Sequence, residues 1–295
     1  MTLTLSFSVI IPTRDRPLKL GQCLESLMLL RFPQERFEVV IVDDGGRPPS
    51  QHLIRRMSER VRMSVVSTRN EGPAAARNAG VAASRGENLA FIDDDCTADA
   101  GWLTAMEARL AANPDDVIGG TVSNSLTENV YARASQGLQD FLYAWYHTER
   151  RGTLRFFTTN NLAVSRSTFT GTGGFDASFP FASEDRDWCD RALLGGHELI
   201  HAPEAVVRHS HDLTFSSFLK QHYRYGQGAF RFHRARARRR AERLRLEPVN
   251  FYLGMLRAPS RSNSPRPIRE SALTVASQAA SFVGFARELA LGSES

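Results

Sequence analysis

Short apolar runs alternate with longer amphipathic stretches over the first hundred residues. Phe7 to Ile11 is such a run, rich in β-branched residues and bounded by Pro12, and it reads as a buried strand. Pro17 opens a helix through about Leu30, with Leu20, Leu24, Leu27 and Met28 on one face. Phe37 to Val42 is a second strand, stopped by Asp43-Asp44-Gly45-Gly46, and a helix follows over Ser50 to Arg60. Met63 to Ser67 reads as a third strand, Gly72-Pro73 starts a helix through about Ser84, and Asn88 to Ile92 is a fourth strand that ends in Asp93-Asp94-Asp95.

Strands that alternate with helices, each strand nearly all apolar, predict a parallel sheet covered on both faces. In such sheets ligands lie beyond the carboxyl ends of the strands. Those ends here are Thr13-Arg14-Asp15, Asp43-Asp44, Arg69-Asn70 and Asp93-Asp94-Asp95. Carboxylates and arginines therefore gather along one rim, the strongest functional signal in the pattern.

Beyond residue 118 the pattern is mixed. Phe156 to Val164 is a candidate strand, Glu184 to Leu194 a helix, and Ala205 to Val207 an apolar stretch leading into His209 and His211. After His211 the character shifts. Arg231 to Arg245 carries eight arginines, and 257–269 is rich in Ser, Pro and Arg, which reads as a flexible segment. These shifts divide the chain into an α/β domain over 1–211 and a helical, arginine-rich extension over 212–295.

Composition narrows the class. At 295 residues and 42% hydrophobic content the chain can bury one large core with an appendage, and it is not a disordered polymer. The net charge is +5, and nearly all the basic excess is arginine, Lys19 and Lys220 being the only lysines. Arginine pairs planar anions such as phosphate well. Cys23, Cys96 and Cys189 are widely spaced, form no zinc pattern and point to a reducing, cytoplasmic compartment. The N-terminus lacks the basic segment of a signal peptide. No stretch reaches the roughly 18 apolar residues of a membrane span; Ala272 to Leu291 comes nearest and is broken by Gln278, Arg287 and Glu288.

Each candidate group has a plain alternative. Asp93-Asp94-Asp95 suits Mg2+ or Mn2+, because hard cations bridge carboxylates to phosphates and relieve their mutual repulsion; it could equally be a solvated turn. Asp43-Asp44-Gly45-Gly46 is explained by its glycines alone. Glu184, Asp185 and Asp187 could complement a helix dipole, or supply a general base. His209 and His211, two apart on a strand, would share a face and could both meet a metal. The arginine run could be a solvated helix face or, with a semi-apolar helix over 271–291, a patch for anionic membrane. Packing of that helix on the catalytic domain or on a second subunit is the alternative. No nucleic-acid motif accompanies the arginines.

Taken together the segments closely resemble glycosyltransferase family 2, the inverting GT-A enzymes. The matching pieces, in order, are SVIIPTRDR, VVIVDDG, NEGPAAARNAGVAASRGENLAFIDDDC, TTNNLAVSR, GTGGFDASF, SEDRDWCDRALLGG and VVRHSH. The resemblance implies an α/β GT-A fold, a mixed, mostly parallel Rossmann-like sheet flanked by helices. It implies a nucleotide-sugar donor, by default a UDP-sugar, Mn2+ or Mg2+ as cofactor, and a saccharide, lipid-linked or small-molecule acceptor.

Roles follow by position. Pro12, Thr13 and Asp15 lie on the loop that meets the nucleotide, Asp44 matches the aspartate at the base, and Gly72 and Arg77 line the nucleotide pocket. Asp93 and Asp94 belong to the ribose or the metal's waters. Asp95 and His209 match metal ligands, Asp185 the catalytic base beside Glu184, and Asn160, Asn161 and Trp188 the acceptor or donor pocket.

Processive members of the family carry membrane spans and Gln-x-x-Arg-Trp. Here Gln221-His222-Tyr223-Arg224-Tyr225 ends in tyrosine, so a soluble, single-addition enzyme is expected, either cytoplasmic or peripheral on the inner membrane face, with a homodimer open. The rival readings are a metal-dependent sugar-nucleotide phosphohydrolase, a nucleotidyltransferase and a non-catalytic carbohydrate-binding protein. PTRDR stands where a pyrophosphorylase would carry a Gly-rich loop.

Overall fold

The computed structural model describes residues 5–47, 49, 51–146, 156–241, 247–261 and 265–292. Its elements run β1 (Phe7–Thr13), α1 (Pro17–Met28), β2 (Phe37–Asp44), α2 (Gln51–Ser58), β3 (Arg62–Thr68), α3 (Pro73–Ala83), β4 (Asn88–Phe91), β5 (Cys96–Ala98), α4 (Trp102–Ala112) and β6 (Val117–Asn124). There follow α5 (Val130–Ala144), β7 (Leu162–Ser165), α6 (Arg166–Gly171), α7 (Glu184–Leu194), β8 (Leu199–His209), α8 (Phe215–Arg240), α9 (Val249–Arg261) and α10 (Pro267–Gly292). They fall into two compact units. One holds 1–123, 157–180 and 191–210; the other holds 124–156, 181–190 and 211–295.

The first unit is built on an eight-stranded sheet in the order β3-β2-β1-β4-β7-β6-β8-β5. The expected parallel sheet forms one half: β1 pairs in parallel with β2 and β4, and β2 with β3. The other half is antiparallel, with β7 joining β4 to β6, and β5 pairing β8. β1 and β2 are buried along nearly their whole length, as their unbroken apolar runs require. Phe7, Val9, Ile11, Leu24, Trp102 and Val207 belong to one continuous core.

The structure departs from the expected elements at four places. β3 is largely exposed, because it is the sheet's edge and pairs only with β2. The candidate strand over Phe156 to Val164 is confined to β7, since Thr159–Asn161 form a 3-10 turn. There Thr158 donates to the Asn160 side chain at 2.7 Å, a local bond that competes with a ladder. β8 ends at His209, so His211 is not held on one strand face with it. The segment read as flexible is helical over 257–261 and again from Pro267, which starts α10. Proline at a helix's first position has the right φ and lacks only a donor the helix would not use. The rest of that segment includes residues outside those described.

In the second unit α5, α8, α9 and α10 pack together. Asn129 caps α5, accepting from the Tyr131 and Ala132 amides. Thr214 and Ser217 form a capping box on α8. Buried acids of α10 are met by their neighbours: Arg133 reaches Glu270 at 2.7 Å, and Gln227 and Arg231 reach Glu288 at 2.8 and 3.0 Å. Among the described residues no helix is long and apolar enough to cross a membrane.

Two histidines of α8 sit in this packing. His222 is 1% exposed, with its ring 4.4 Å from Phe218 and neither nitrogen hydrogen-bonded among the described residues. Burial pushes it down to about 4; burial, with Arg186 and Arg236, does the same to His233. Each folded ring refuses a proton that the unfolded chain takes up below about pH 6.5. This contribution to stability is fully present above pH 6.5 and is lost as the pH falls towards 4. Urea unfolding at pH 7 and pH 5 should show the loss, and His222→Leu should shrink the difference between the two. An unchanged difference would remove His222 from this account.

Candidate active site

The aspartate triplet follows β4, and each carboxylate meets a counter-charge, Asp94 and Asp95 sharing Arg16. Asp93 accepts from Arg77 at 2.6 Å, and Arg77 is itself 4% exposed on α3. Asp94 accepts from the Thr13 hydroxyl at 2.7 Å and from Arg16 at 3.2 Å. Asp95 turns one oxygen to Arg16 at 3.1 Å and the other to His209 Nε2 at 3.2 Å. Strand pairing brings His209 there, for β5 begins directly after the triplet and its register sets Cys96 opposite His209. The Ser210 amide also donates to the Asp95 carbonyl at 2.8 Å.

Burial pushes the Asp94 carboxyl up to about 6, while Arg16 and Thr13 pull it down. At His209 burial opposes the charged ring, but the Asp95 hydrogen bond and the charges of Asp95 and Asp93 outweigh it, and its pKa rises. Asp95, Cys96 and His209 place ligand atoms within 4.8 Å of one another. Burial drives the Cys96 thiol well above its ordinary range, with Asp93 and Asp95 adding to the shift. A thiol held protonated is a poor ligand, so carboxylate oxygen and imidazole nitrogen are the donors this cluster offers. His211 is not part of it. Arg16 was missed as a site residue; its signal was a third charge in Arg14-Asp15-Arg16, directly before the Pro17 helix start.

At the end of β2, Asp44 is used up by the adjoining loop. Its oxygens accept from Thr68 Oγ1 at 2.7 Å and from the Glu71 and Gly72 amides at 2.8 and 2.9 Å. Gly72 has φ +92, and a Cβ there would lie 2.9 Å from the Pro180 carbonyl oxygen. Asp15, also left-handed at φ +54, accepts from the Arg47 amide at 3.0 Å, and Asp43 from Gly46 at 3.1 Å. Pro12 pairs with Val42 in the β1–β2 register. The strand-end residues Thr13, Asp15, Asp44 and the triplet thus lie along one rim, as the sheet pattern predicts, and Gly72 and Arg77, expected there from the resemblance, join it through Asp44 and Asp93.

The residues expected at an acceptor or donor pocket are less available. Asn161, 1% exposed, donates to the Thr121 and Ala205 carbonyls at 2.8 and 2.9 Å and accepts from Trp102 Nε1 at 2.9 Å. Its amide ties α4, β6 and β8 together. Asn160 is 6% exposed, and Trp188 is fully buried in α7. These are framework positions by geometry.

In the second unit α7 sorts its acids. Asp187, fully buried, pairs with Arg239 at 2.6 Å. Asp190 receives Arg236 at 3.4 Å, Arg239 at 2.9 Å and Arg240 at 2.8 Å. The arginine run read as a solvated or membrane-facing surface is therefore partly an internal clamp; Arg243 and Arg245 lie outside the described residues. Glu184 and Asp185 open the helix after Ser183, which has φ +74. Asp185 is half-buried and Glu184 buried. Arg186 stacks 4.9 and 5.0 Å over the Phe156 and Phe232 rings. Along α8, Gln221 donates to Tyr225 at 2.6 Å, and Arg224 lies 5.1 Å over Phe181.

A mixed sheet, parallel in one half, with a carboxylate and histidine cluster at its strand ends, followed by a helical C-terminal region, is the architecture of GT-A fold transferases. Mannosyltransferase PcManGT from Pyrobaculum calidifontis, solved with GDP-Man and Mn2+, superposes with a TM-score of 0.60 at 18% identity, covering 99% of this chain and 81% of that one. TarS of S. aureus, solved with UDP-GlcNAc, superposes at 0.53 with 15% identity, covering 95% of this chain and 89% of that one. At such identities the likeness is one of fold.

In sequence, Glycosyl transferase family 2 matches residues 8–177, and the chain belongs to that family. It is a glycosyltransferase, as its motifs lead one to expect. Glycosyltransferase AglE of Haloferax volcanii is 27% identical over 232 residues, 77% of this chain and 74% of that protein. The pre-mycofactocin glycosyltransferase of Mycobacterium tuberculosis is 27% identical over 228 residues, 75% of this chain but 46% of that longer protein.

Two consequences follow for α7. Removing one partner of a buried ion pair leaves a charge without compensation and costs about 3–5 kcal/mol, so Asp190→Ala should lower the urea midpoint markedly. An effect like that of an exposed substitution would show the clamp to be idle. A Cβ on Gly228 of α8 would lie 2.5 Å from the Ala182 carbonyl oxygen and 2.8 Å from Ser183 Oγ. Gly228→Ala should therefore displace the turn before Asp185 and depress activity, although alanine is the better helix former by about 1 kcal/mol. Full activity would show that the turn tolerates the shift.

Proposed function

We propose that the chain moves a sugar from a nucleotide-sugar donor to a hydroxyl acceptor by a single inverting displacement assisted by Mn2+ or Mg2+, with 1–211 as the catalytic portion and 212–295 as a helical extension. The observation that carries this reading is the strand-end cluster, in which Asp95 and His209 converge beside Asp93, Asp94 and Arg77. Carboxylate and imidazole donors on a rim of arginines suit a divalent cation and a diphosphate together. The nucleotide sugars named with the similar folds, GDP-Man and UDP-GlcNAc, support a donor of this class. A UDP-sugar is the default.

Asp95 and His209 would hold the cation, which when bound supplies positive charge to the departing diphosphate. Pro12, Thr13, Asp15 and the Asp44-anchored loop at Gly72 would shape the nucleotide side, with Arg77, Asp93 and Asp94. Asp185 takes the acceptor hydroxyl proton. The acceptor oxygen forms its bond to the anomeric carbon as the bond from that carbon to the diphosphate oxygen breaks, and the nucleoside diphosphate leaves with the electron pair. Glu184 supports Asp185. Asp187, whose carboxylate is spent on Arg239, is a poor rival for the base. The partly clamped arginines weaken the case for an anionic membrane surface, and the acceptor class stays a saccharide, lipid-linked or small-molecule hydroxyl.

Calorimetry should find tight nucleoside diphosphate binding only with Mn2+ or Mg2+, and Asp95→Ala should abolish that dependence and most activity. Asp44→Ala should loosen the 68–72 loop and weaken nucleotide binding while sparing the metal. Equal affinity in EDTA would sink the metal's role. Loss of a general base costs about 10²–10⁴-fold, so Asp185→Asn should lose kcat by that order with KM nearly unchanged. Near-normal turnover would move the base elsewhere, and NMR detection of a product that keeps the donor's anomeric configuration would discard single displacement.

A further inference from the structure

α10 buries one face in the second unit and leaves another open. The open face is not a random scatter of apolar residues. Ile268, Ala272, Val275, Ala279, Phe282, Ala286 and Leu289 follow one another at alternating intervals of four and three. That is an unbroken seven-residue repeat along about 32 Å of helix. The large members are open to solvent: Ile268 is 86%, Val275 55%, Phe282 72% and Leu289 54% exposed. No charged residue lies within the stripe itself; exposed Val283 widens it on the flank that also carries exposed Arg269 and Arg287. The opposite face carries the buried Glu270, Thr274, Ser277 and Glu288.

Large and small residues alternate strictly along this seam. In a parallel pair of such helices like faces like, so Phe282 would stack on Phe282 while alanine layers stood hollow. An antiparallel pair sets Ala272 against Leu289, Val275 against Ala286 and Ala279 against Phe282 of the other copy, one large residue and one alanine in each layer. Each of these layers then joins one large residue to one small one, and the helices can pack at a more even distance than a parallel pair. The arrangement is self-complementary about a two-fold axis, as a symmetric dimer requires.

Charge agrees. Arg269 is exposed in the first turn. Antiparallel pairing sets it beside the C-terminal end of the other α10, where the helix dipole is negative. Parallel pairing would set it beside its own copy. A lipid surface imposes no alternation of size, and an interfacial helix relies on basic neighbours. Here Arg231, Arg236, Arg239 and Arg240 are paired with Glu288, Asp187 and Asp190, so the exposed basic residues on α10 itself are Arg269 and Arg287, one near each end.

We propose that the exposed stripe of α10 is the seam of an antiparallel homodimer of this chain. The inference does not depend on the catalytic reading. Sedimentation equilibrium of the full chain should give twice the chain mass, and Phe282→Asp and Val275→Asp should each give a single chain with unchanged circular dichroism. The orientation is read separately. Chains carrying Ala272→Cys, mixed with chains carrying Leu289→Cys, should form the mixed disulfide dimer on mild oxidation, while neither variant cross-links well with itself. The native Cys23, Cys96 and Cys189 are buried and do not compete. A wild-type monomer at tens of micromolar, or a dimer that survives Phe282→Asp, would overturn the proposal. So would self-cross-linking of each cysteine variant, which marks a parallel pair. A monomer that floats with anionic or neutral vesicles would assign the stripe to lipid instead.

Discussion

Three adjacent carboxylates at one strand end cannot be held together without opposite charge nearby, and the first unit is arranged around that constraint. Arg77 arrives on α3, Arg16 from the loop before α1, and His209 from the end of β8. Each comes from a different element, so forming the cluster requires the sheet to be complete. The three-residue strand β5 is the decisive piece. It leaves the triplet at once and pairs with β8, which fixes His209 against Asp95. The ordinary-looking strand pairing and the acidic site are one construction.

The second unit meets the same problem with a different answer. Asp187 and Asp190 are more deeply buried than Asp95, and arginines of α8 close over them. The planar guanidinium suits this because it supplies several donors in a fixed fork. The two ionic centres differ in what remains for a ligand. Around the triplet, half-exposed Arg16 is shared between two aspartates and the paired groups lie on the strand-end rim. Around Asp190, three arginines converge on one carboxylate. The first resembles a place where a polyanion and a cation could exchange partners; the second is a clamp.

The strands and helices to residue 92 were legible because each buried strand is an uninterrupted apolar run and α1 and α3 each open on a proline. The antiparallel half was not. β5 is three residues long, and β7 begins inside a stretch whose Thr and Asn side chains bind locally. Its anchor, Asn161, spends its amide on three distant elements, a role no local pattern can reveal. Among site residues, the triplet, Asp44 and His209 could be found because acidic strand ends and a histidine after an apolar run are local features. Arg16 escaped because one charge among three in Arg14-Asp15-Arg16 has no distinguishing period. The arginine run misled for a related reason. Clustered charge reads as solvated surface unless its partners are known, and those partners lie some fifty residues earlier.

The turn before α7 shows how such a clamp can matter to chemistry it does not touch. Ser183 is in the left-handed region, a conformation that costs a non-glycine residue free energy and persists only where surroundings over-determine it. Here two constraints act on it. Gly228 lets α8 approach the Ala182 carbonyl and the Ser183 side chain, and the Asp187 and Asp190 pairs tie α7 to the same helix. With its start pinned by the turn and its next turn pinned by arginine, α7 leaves Glu184 and Asp185 little freedom of position. Strain of this kind is spent where a side chain must be aimed rather than merely exposed. Under the proposal that Asp185 is the base, Arg236, Arg239 and Arg240 of α8 give that two-residue acidic start its fixed direction.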